Sequence, residues 1–122
     1  MVSSGGSEPG GRHEHEVVSG DVLLQALVAC AGVTLSAVAT SLGIPLRGAR
    51  LRAEGDLDFR GTLGVAKDAP VGFRRIRLLV AIDSDAGPDD RRKLLELTER
   101  YCVVYQTLRS SPAIAVREAP AA

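Results

Sequence analysis

Aromatic residues are scarce in this sequence of 122 residues, which has two tyrosines, two phenylalanines and no tryptophan. Stacking platforms for the bases of single-stranded nucleic acid are therefore few. A surplus of either charge is also absent, because 15 lysines and arginines stand against 15 aspartates and glutamates. A chain without a basic surplus has no general attraction to nucleic acid or to acidic lipid. These absences predict one domain whose partners are neither nucleic acid nor a membrane.

Cysteine is equally rare, and Cys30 and Cys102 are the whole complement. Two cysteines do not make the disulfide framework of a small secreted domain, and residues 1–20 contain no apolar stretch typical of a secretory signal. The expected location is therefore the cytoplasm, where thiols stay reduced. The chain has no CxxC pair, and His13 and His15 lie in the N-terminal tail, so no metal site is predicted.

The chain divides into a loose lead-in and a folded remainder. Residues 1–18 are rich in glycine and serine and show no hydrophobic period, which predicts a flexible segment. Residues 19–42 predict a long helix. Asp21 complements the positive helix end in its first turn, and Gly43 favours termination just after it.

The helix is unusual because the run from Val22 to Leu46 contains no charged residue. A run of that length could span a membrane, which gives one alternative, a small membrane-anchored protein. The rest of the chain has the composition of a globular domain. A helix that is apolar on nearly every face is then a central helix that must be covered on all sides. One small sheet covers only one side, so a second subunit is expected to supply the remainder, as an obligate homodimer.

Hydrophobic alternation and helical spacing predict the remaining elements. Residues 49–60 alternate as an antiparallel strand, in which Gly55 suggests a bulge. The other predicted elements are a strand over 72–83, a helix over 88–102, a helical turn over 107–110 and a short strand over 113–119. This order of elements is typical of an α+β fold.

The two cysteines allow two interpretations. Free cysteine packs like a small hydrophobic residue, and burial among valines and alanines would raise the pKa of Cys30 and make it inert. Reactivity at Cys30 would then require a nearby cation. The candidates are the strand arginines, most of which the alternation places on the outer face of the sheet: Arg50, Arg52, Arg75 and Arg77. On this argument Cys30 is poorly activated, with a pKa near or above the free value of about 8.5.

The context of each cysteine resembles the OsmC/Ohr family of thiol-dependent hydroperoxide reductases. The matches around the first cysteine are Asp21, Leu23, Leu24, Ala26, Ala29, Cys30, Thr34 and Leu35. The segment AEGDLDF, residues 53–59, fits a strand of the family pattern. The matches around the second cysteine are Tyr101, Cys102, Val104, Thr107 and Leu108. The resemblance identifies residues 19–119 as an OsmC-like domain.

The resemblance implies a fold and a reaction. Its fold is a long central apolar helix packed on an antiparallel sheet with a second helix, in an intertwined homodimer. Cys30 would be the peroxidatic residue that attacks an organic hydroperoxide and becomes a sulfenic acid. Cys102 would be the resolving residue that closes a disulfide. An external dithiol would reduce that disulfide, and no bound cofactor or metal is implied.

Three features differ from the family pattern. Family members have about three strands before the central helix, with an arginine that activates the thiolate, whereas residues 1–18 show no strand pattern and contain only Arg12. The family's catalytic glutamate falls at Gly20, and the proline after the second cysteine is replaced by Val103. The sequence therefore predicts a member without the N-terminal strands. The alternative function is a non-enzymatic dimeric module that binds a small apolar ligand above Cys30.

Overall fold

Seven elements form an α+β fold, as the sequence predicts, in a computed structural model that describes residues 2–4 and 19–121. In chain order they are β1 (Val2–Ser4), α1 (Ser19–Leu42), β2 (Gly48–Asp56), α2 (Phe59–Thr62), β3 (Arg75–Asp83), α3 (Pro88–Tyr101) and α4 (Val103–Arg109).

Helix α1 has the bounds that the sequence predicts. Its end is set by Gly43, which adopts a positive φ of 71° that a side chain would disfavour. The N–H of Gly43 donates to the carbonyl of Thr40 at 3.2 Å, and the N–H of Ile44 donates to that of Ala39 at 2.9 Å. These bonds satisfy carbonyls that the helix would otherwise leave unpaired.

Strands β2 and β3 form an antiparallel ladder whose register runs without interruption from Gly48 opposite Asp83 to Asp56 opposite Arg75. The predicted bulge at Gly55 is therefore wrong. This glycine instead makes room for an aromatic ring, because a Cβ there would lie 2.4 Å from Cε1 of Phe73.

Strand β1 pairs with the other edge of β2, which gives a three-stranded sheet in the order β1-β2-β3. Residues 2–4 lie within the segment that the sequence assigns to a loose lead-in, so that part of the prediction is wrong. The sequence does not reveal this strand because three residues are too few to show the alternation of a strand. Residues 5–18 lie outside the described part of the chain, and the domain boundary at residue 19 stays a prediction.

Two predicted strand ends also differ. The first strand stops at Asp56 and not at residue 60, because Asp58 caps the short helix α2 by accepting a hydrogen bond from the N–H of Arg60 at 3.0 Å. The second begins at Arg75 and not at residue 72. The predicted strand over 113–119 does not form. Ile114 and Val116 are 81% and 94% exposed, so this segment joins no sheet within the described chain.

The core lies between one face of α1, the inner face of the sheet and the start of the helical pair α3–α4. Its buried apolar residues are Leu24, Leu27, Val28, Ala31, Leu35, Ala39, Ile44, Leu51, Ala53, Leu94 and Cys102. Each fully buried leucine stabilises the fold by about 1.5–3 kcal/mol relative to an exposed one. Cys102 is thus part of the core, whereas Cys30 lies at its margin.

The described residues leave the opposite face of α1 uncovered. Val22 and Val33 are 56% and 74% exposed, and Ala26 and Ala29 beside them are exposed as well. The segment Gly20–Leu42 has a mean hydropathy of 2.1 with 33% of its apolar window buried, so by length and composition alone it could cross a membrane. A core helix of a globular protein has the same properties, which makes this weak evidence for a membrane anchor.

Candidate functional site

The fold brings the two cysteines together. Cys30 lies on α1 and is partly exposed, whereas Cys102 forms the single-residue junction between α3 and α4 and is 1% exposed. Their side chains lie within hydrogen-bonding reach of each other, and both are free thiols. The pair therefore has the proximity that a thiol–disulfide cycle needs.

The pKa of Cys30 is lowered from its ordinary value, chiefly because its sulfur accepts a hydrogen bond from the backbone N–H of Val104. The side chain of Cys102, the N–H of Val103 and the hydroxyl of Thr34 act in the same direction, and burial opposes them. The first N–H groups of a helix have no partner within it, so those at the start of α4 are available to stabilise a thiolate.

The pKa of Cys102 is raised instead, first because this thiol is buried and also because Cys30 lies beside it. The N–H groups of Tyr105 and Val104 oppose the shift without cancelling it. The two thiols thus differ in the way that two-cysteine chemistry requires. The pKa of the partly exposed thiol is lowered and that of the buried thiol is raised.

The sequence predicts that only an arginine could activate Cys30, and this prediction is wrong because a backbone N–H group can also lower the pKa of the thiol. The largest favourable contribution comes from a backbone N–H of α4, and the pKa moves down where the sequence placed it at or above the free value. Among the candidate arginines, Arg77 lies on the outer face and pairs with Glu54 at 3.2 Å and Asp56 at 3.0 Å. The sequence predicts only the last turn of α4, over 107–110, and misses its start because Val103 and Val104 are β-branched and favour strands.

Gly20, the position at which the family resemblance implies a catalytic glutamate, lies against the ring of Phe73. A Cβ at Gly20 would be 2.8 Å from Cζ of Phe73 and 3.6 Å from Cδ1 of Leu57. The other side of the ring lies on Gly55. Phe73 thus occupies the space that a glutamate would need. Asp21, the next residue, is 4% exposed in the first turn of α1.

A cavity of about 260 Å³ lies beside Cys102. Its wall is formed by Ala31, Leu78, Val80, Leu95, Thr98, Glu99, Cys102 and Tyr105. Most of these side chains are apolar, so the cavity suits a small organic group better than a charged one. It places such a group next to the buried cysteine.

Among residues 2–4 and 19–121, no group of three or more His, Cys, Asp or Glu side chains could hold a metal ion. The described residues therefore give no support for a metal site. His13 and His15 lie outside those residues.

The lowered pKa predicts the pH dependence of Cys30 alkylation. Because the thiolate is the nucleophile, the rate of reaction with iodoacetamide should rise as the pH increases through the pKa. We expect half of the maximal rate to be reached at a lower pH than for the same cysteine in an unfolded peptide. The measurement uses Cys102→Ser, so that only Cys30 reacts, and a peptide containing LVACAGVTL is the control. Equal midpoints for protein and peptide would show that the N–H groups of α4 do not act on the sulfur.

Comparison with known proteins gives a family match and two similar folds. The family model described as OsmC-like protein matches residues 12–117. The structure is similar to that of an OsmC-like protein from Mycoplasma pneumoniae, with a TM-score of 0.69 at 20% identity over 82% of this chain and 70% of that one. An OsmC-like hydroperoxide resistance protein from Jannaschia sp. CCS1 gives a TM-score of 0.65 at 15% identity over 89% and 71% of the two chains. No curated protein sequence matches. The family match covers most of the sequence, and the chain therefore belongs to the OsmC-like protein family.

Proposed function

We propose that the protein is a cysteine-based reductase of organic hydroperoxides. The observation that carries this proposal is the paired arrangement of Cys30 and Cys102, in which backbone N–H groups lower the pKa of the more exposed thiol and burial raises that of the other. Membership of a family that includes a hydroperoxide resistance protein supports it.

The reaction has three steps. The Cys30 thiolate attacks the terminal oxygen of the hydroperoxide, an S–O bond forms as the O–O bond breaks, and the alkoxide takes a proton to leave as an alcohol. Cys102 then attacks the sulfur of the Cys30 sulfenic acid, and the hydroxyl leaves with the thiol proton as water. An external dithiol returns two electrons and two protons, is itself oxidised to a disulfide, and restores both thiols. This last step fits a reducing compartment such as the cytoplasm.

The direct test is to expose the reduced wild-type protein to cumene hydroperoxide. We expect one equivalent of peroxide to remove both thiols and to lower the mass of the protein by two hydrogen atoms. Peptide mapping without reductant should then recover a disulfide between Cys30 and Cys102. A protein that keeps both thiols under excess peroxide, while a control peroxidase is oxidised, would contradict the proposal.

The alternative is a non-enzymatic module that binds a small apolar ligand. It is favoured by the cavity of about 260 Å³ beside Cys102 and by Phe73, which fills the position of the family glutamate. The cumene hydroperoxide experiment separates the two functions, because a binding module would leave the peroxide unchanged.

We also propose that the protein is a homodimer. The uncovered face of α1 carries exposed valines and alanines along its length, among them Val22, Ala29 and Val33. Contiguous apolar surface of this kind is typical of an interface.

Sedimentation at micromolar concentration should therefore give twice the monomer mass. Val33→Glu, which places a charge in the middle of this face, should give the monomer, whereas Lys67→Glu in the exposed α2–β3 loop should remain a dimer. A folded wild-type monomer would contradict the proposal.

A further inference from the structure

Strand β3 is the least covered part of the sheet. It forms one edge in the order β1-β2-β3, and among the described residues it packs closely only on β2. Helix α1 packs on β2, where Leu51 and Ala53 are buried. The residues of β3 that face the same side are all apolar and only half-buried: Ile76, Leu78, Val80 and Ile82. The described chain therefore leaves the inner face of β3 without a full covering element.

Two adjoining cavities lie along this inner face. The cavity of about 260 Å³ beside Cys102 lies between β3 and the helices α3 and α4. A second cavity, of about 290 Å³, lies between the start of β3, α1 and α4. Leu78 and Tyr105 line both cavities, so the two form one continuous depression. We call it the β3 groove, and its strand wall consists of Ile76, Leu78 and Val80.

The backbone at the outer edge of β3 is also unpaired. Beyond the ladder with β2, no backbone group from Arg75 to Ala81 forms a backbone hydrogen bond with another described residue. Only the far end is closed, because the guanidinium of Arg91 donates to the carbonyl of Ile82 at 3.1 Å and also to that of Ser84. An edge of this kind can pair with an additional strand.

The C-terminal segment 113–118 has the complementary properties. It lies outside every helix and strand, and its backbone forms no hydrogen bond with the backbone of another described residue. Ile114 and Val116 are 81% and 94% exposed, the largest values for any large hydrophobic residue of the described chain. In a strand these two side chains lie on one face about 6.8 Å apart. Both could therefore enter the β3 groove together.

We propose that residues 113–118 of a second copy of this chain dock on the free edge of β3 as an additional strand, with Ile114 and Val116 in the β3 groove. Backbone hydrogen bonds along the edge supply affinity, and the alternate side chains in the groove fix the register. The other edge of the sheet, β1, spans only Val2–Ser4 and is too short for a segment of six residues.

The second copy follows from two observations. Residues 113–118 leave the edge of β3 in their own chain empty, and the uncovered face of α1 already indicates a partner of the same kind. In a two-fold dimer the exchange is reciprocal, so each copy gives one strand and receives one. This inference rests on the proposed homodimer and names the element that the partner contributes to it.

The first test compares Ile114→Asp with Ala115→Asp by sedimentation over a series of concentrations. Ile114 is 81% exposed in its own chain, so its substitution leaves the protomer folded. Ile114→Asp should weaken dimerisation roughly a hundredfold, because it places a charge in both grooves of the dimer. Ala115→Asp adds the same charge on the opposite face of the docked strand and should change the affinity by less than about threefold. Equal dimer affinities for both variants and the wild type would overturn the inference. The proposed homodimer would still stand if Val33→Glu gave a monomer.

The second test identifies the copy that supplies the strand. Val116→Cys and Val80→Cys are made as separate proteins in a background that lacks both native cysteines, and they are mixed under oxidising conditions. A disulfide that joins one chain of each kind is expected, whereas Ala115→Cys in place of Val116→Cys should form at most a tenth as much. Leu78→Cys replaces Val80→Cys if circular dichroism shows that the latter does not fold. If the mixture gives no cross-link, while a chain that carries both cysteines closes a disulfide within itself, the assignment to a second copy is wrong. Reduction of cumene hydroperoxide by the wild type is measured separately, so neither result changes the proposed reaction.

Discussion

Replacement of Cys30 by serine is expected to lower the rate of hydroperoxide reduction by on the order of a thousandfold or more. The hydroxyl of serine stays protonated at neutral pH, so the hydrogen bonds from the N–H groups of Val103 and Val104 no longer hold an anionic nucleophile. The rate is measured as consumption of cumene hydroperoxide by reduced protein with a dithiol in excess. A rate close to that of the wild type would show that Cys30 does not react with the peroxide.

Cys102→Ser is the matched variant, because it removes the other thiol. Without added dithiol, we expect it to consume one equivalent of peroxide and then stop, with a sulfenic acid on Cys30 that dimedone traps. Cys30→Ser should show no such adduct on Cys102, whose pKa is raised by burial. An adduct on Cys102 in Cys30→Ser, with none on Cys30 in Cys102→Ser, would show that Cys102 is the peroxidatic cysteine and Cys30 the resolving one.

Much of the fold follows from patterns within short stretches of sequence. Helix α1 is predictable because a long charge-free run contains Gly43, whose positive φ a glycine accommodates and at which the helix ends. The ladder of β2 and β3 is predictable because apolar residues alternate with charged ones along β2, and Ile76, Leu78, Val80 and Ile82 occupy every second position of β3. Leu51 and Ala53 are buried, and Arg77 on the outer face pairs with acidic residues of β2.

The strand predictions that are wrong have a shared cause. Whether these segments form strands is decided by tertiary contacts, which a local pattern does not contain. Strand β1 is three residues long, and its pairing with β2 spans a large sequence separation. Residues 113–119 alternate like a strand, but within the described chain they pair with neither edge of the sheet β1-β2-β3. A hydrophobic period reports which face of a strand would be buried and not whether a neighbouring strand is present.

The candidate site shows the same division. Cys30 and Cys102 are identified from sequence because each lies in a recognisable context. The groups that lower the pKa of Cys30 are not identified from sequence, because they depend on where α4 begins. The backbone N–H groups of Val103 and Val104 act on Cys30 only when those residues are helical and packed on α1. Both are β-branched, so local propensity favours a strand and packing overrides it.

The ring of Phe73 is a further tertiary feature that the sequence does not reveal, and it gives the prediction with the largest expected effect on stability. It is held between two glycines, since a Cβ at Gly20 would lie 2.8 Å from the ring and one at Gly55 would lie 2.4 Å from it. Gly20→Glu, which introduces the glutamate of the family pattern, should therefore destabilise the wild type by about 1–3 kcal/mol.

The effect of Gly20→Glu on the free energy of unfolding should change sign when the Phe73 ring is removed. In Phe73→Ala, Gly20→Glu should stabilise the protein by up to about 1 kcal/mol, because a glutamate in the first helical turn has a higher helix propensity than glycine and complements the helix dipole. The free energies of unfolding are measured in urea for the wild type, both single variants and the double variant. Gly48→Glu is the control, since it lies at the end of β2 remote from Gly55, a Cβ there meets nothing within 4 Å, and its effect should be the same in both backgrounds. If Gly20→Glu has the same effect with and without Phe73, the ring is not what excludes the glutamate from this site.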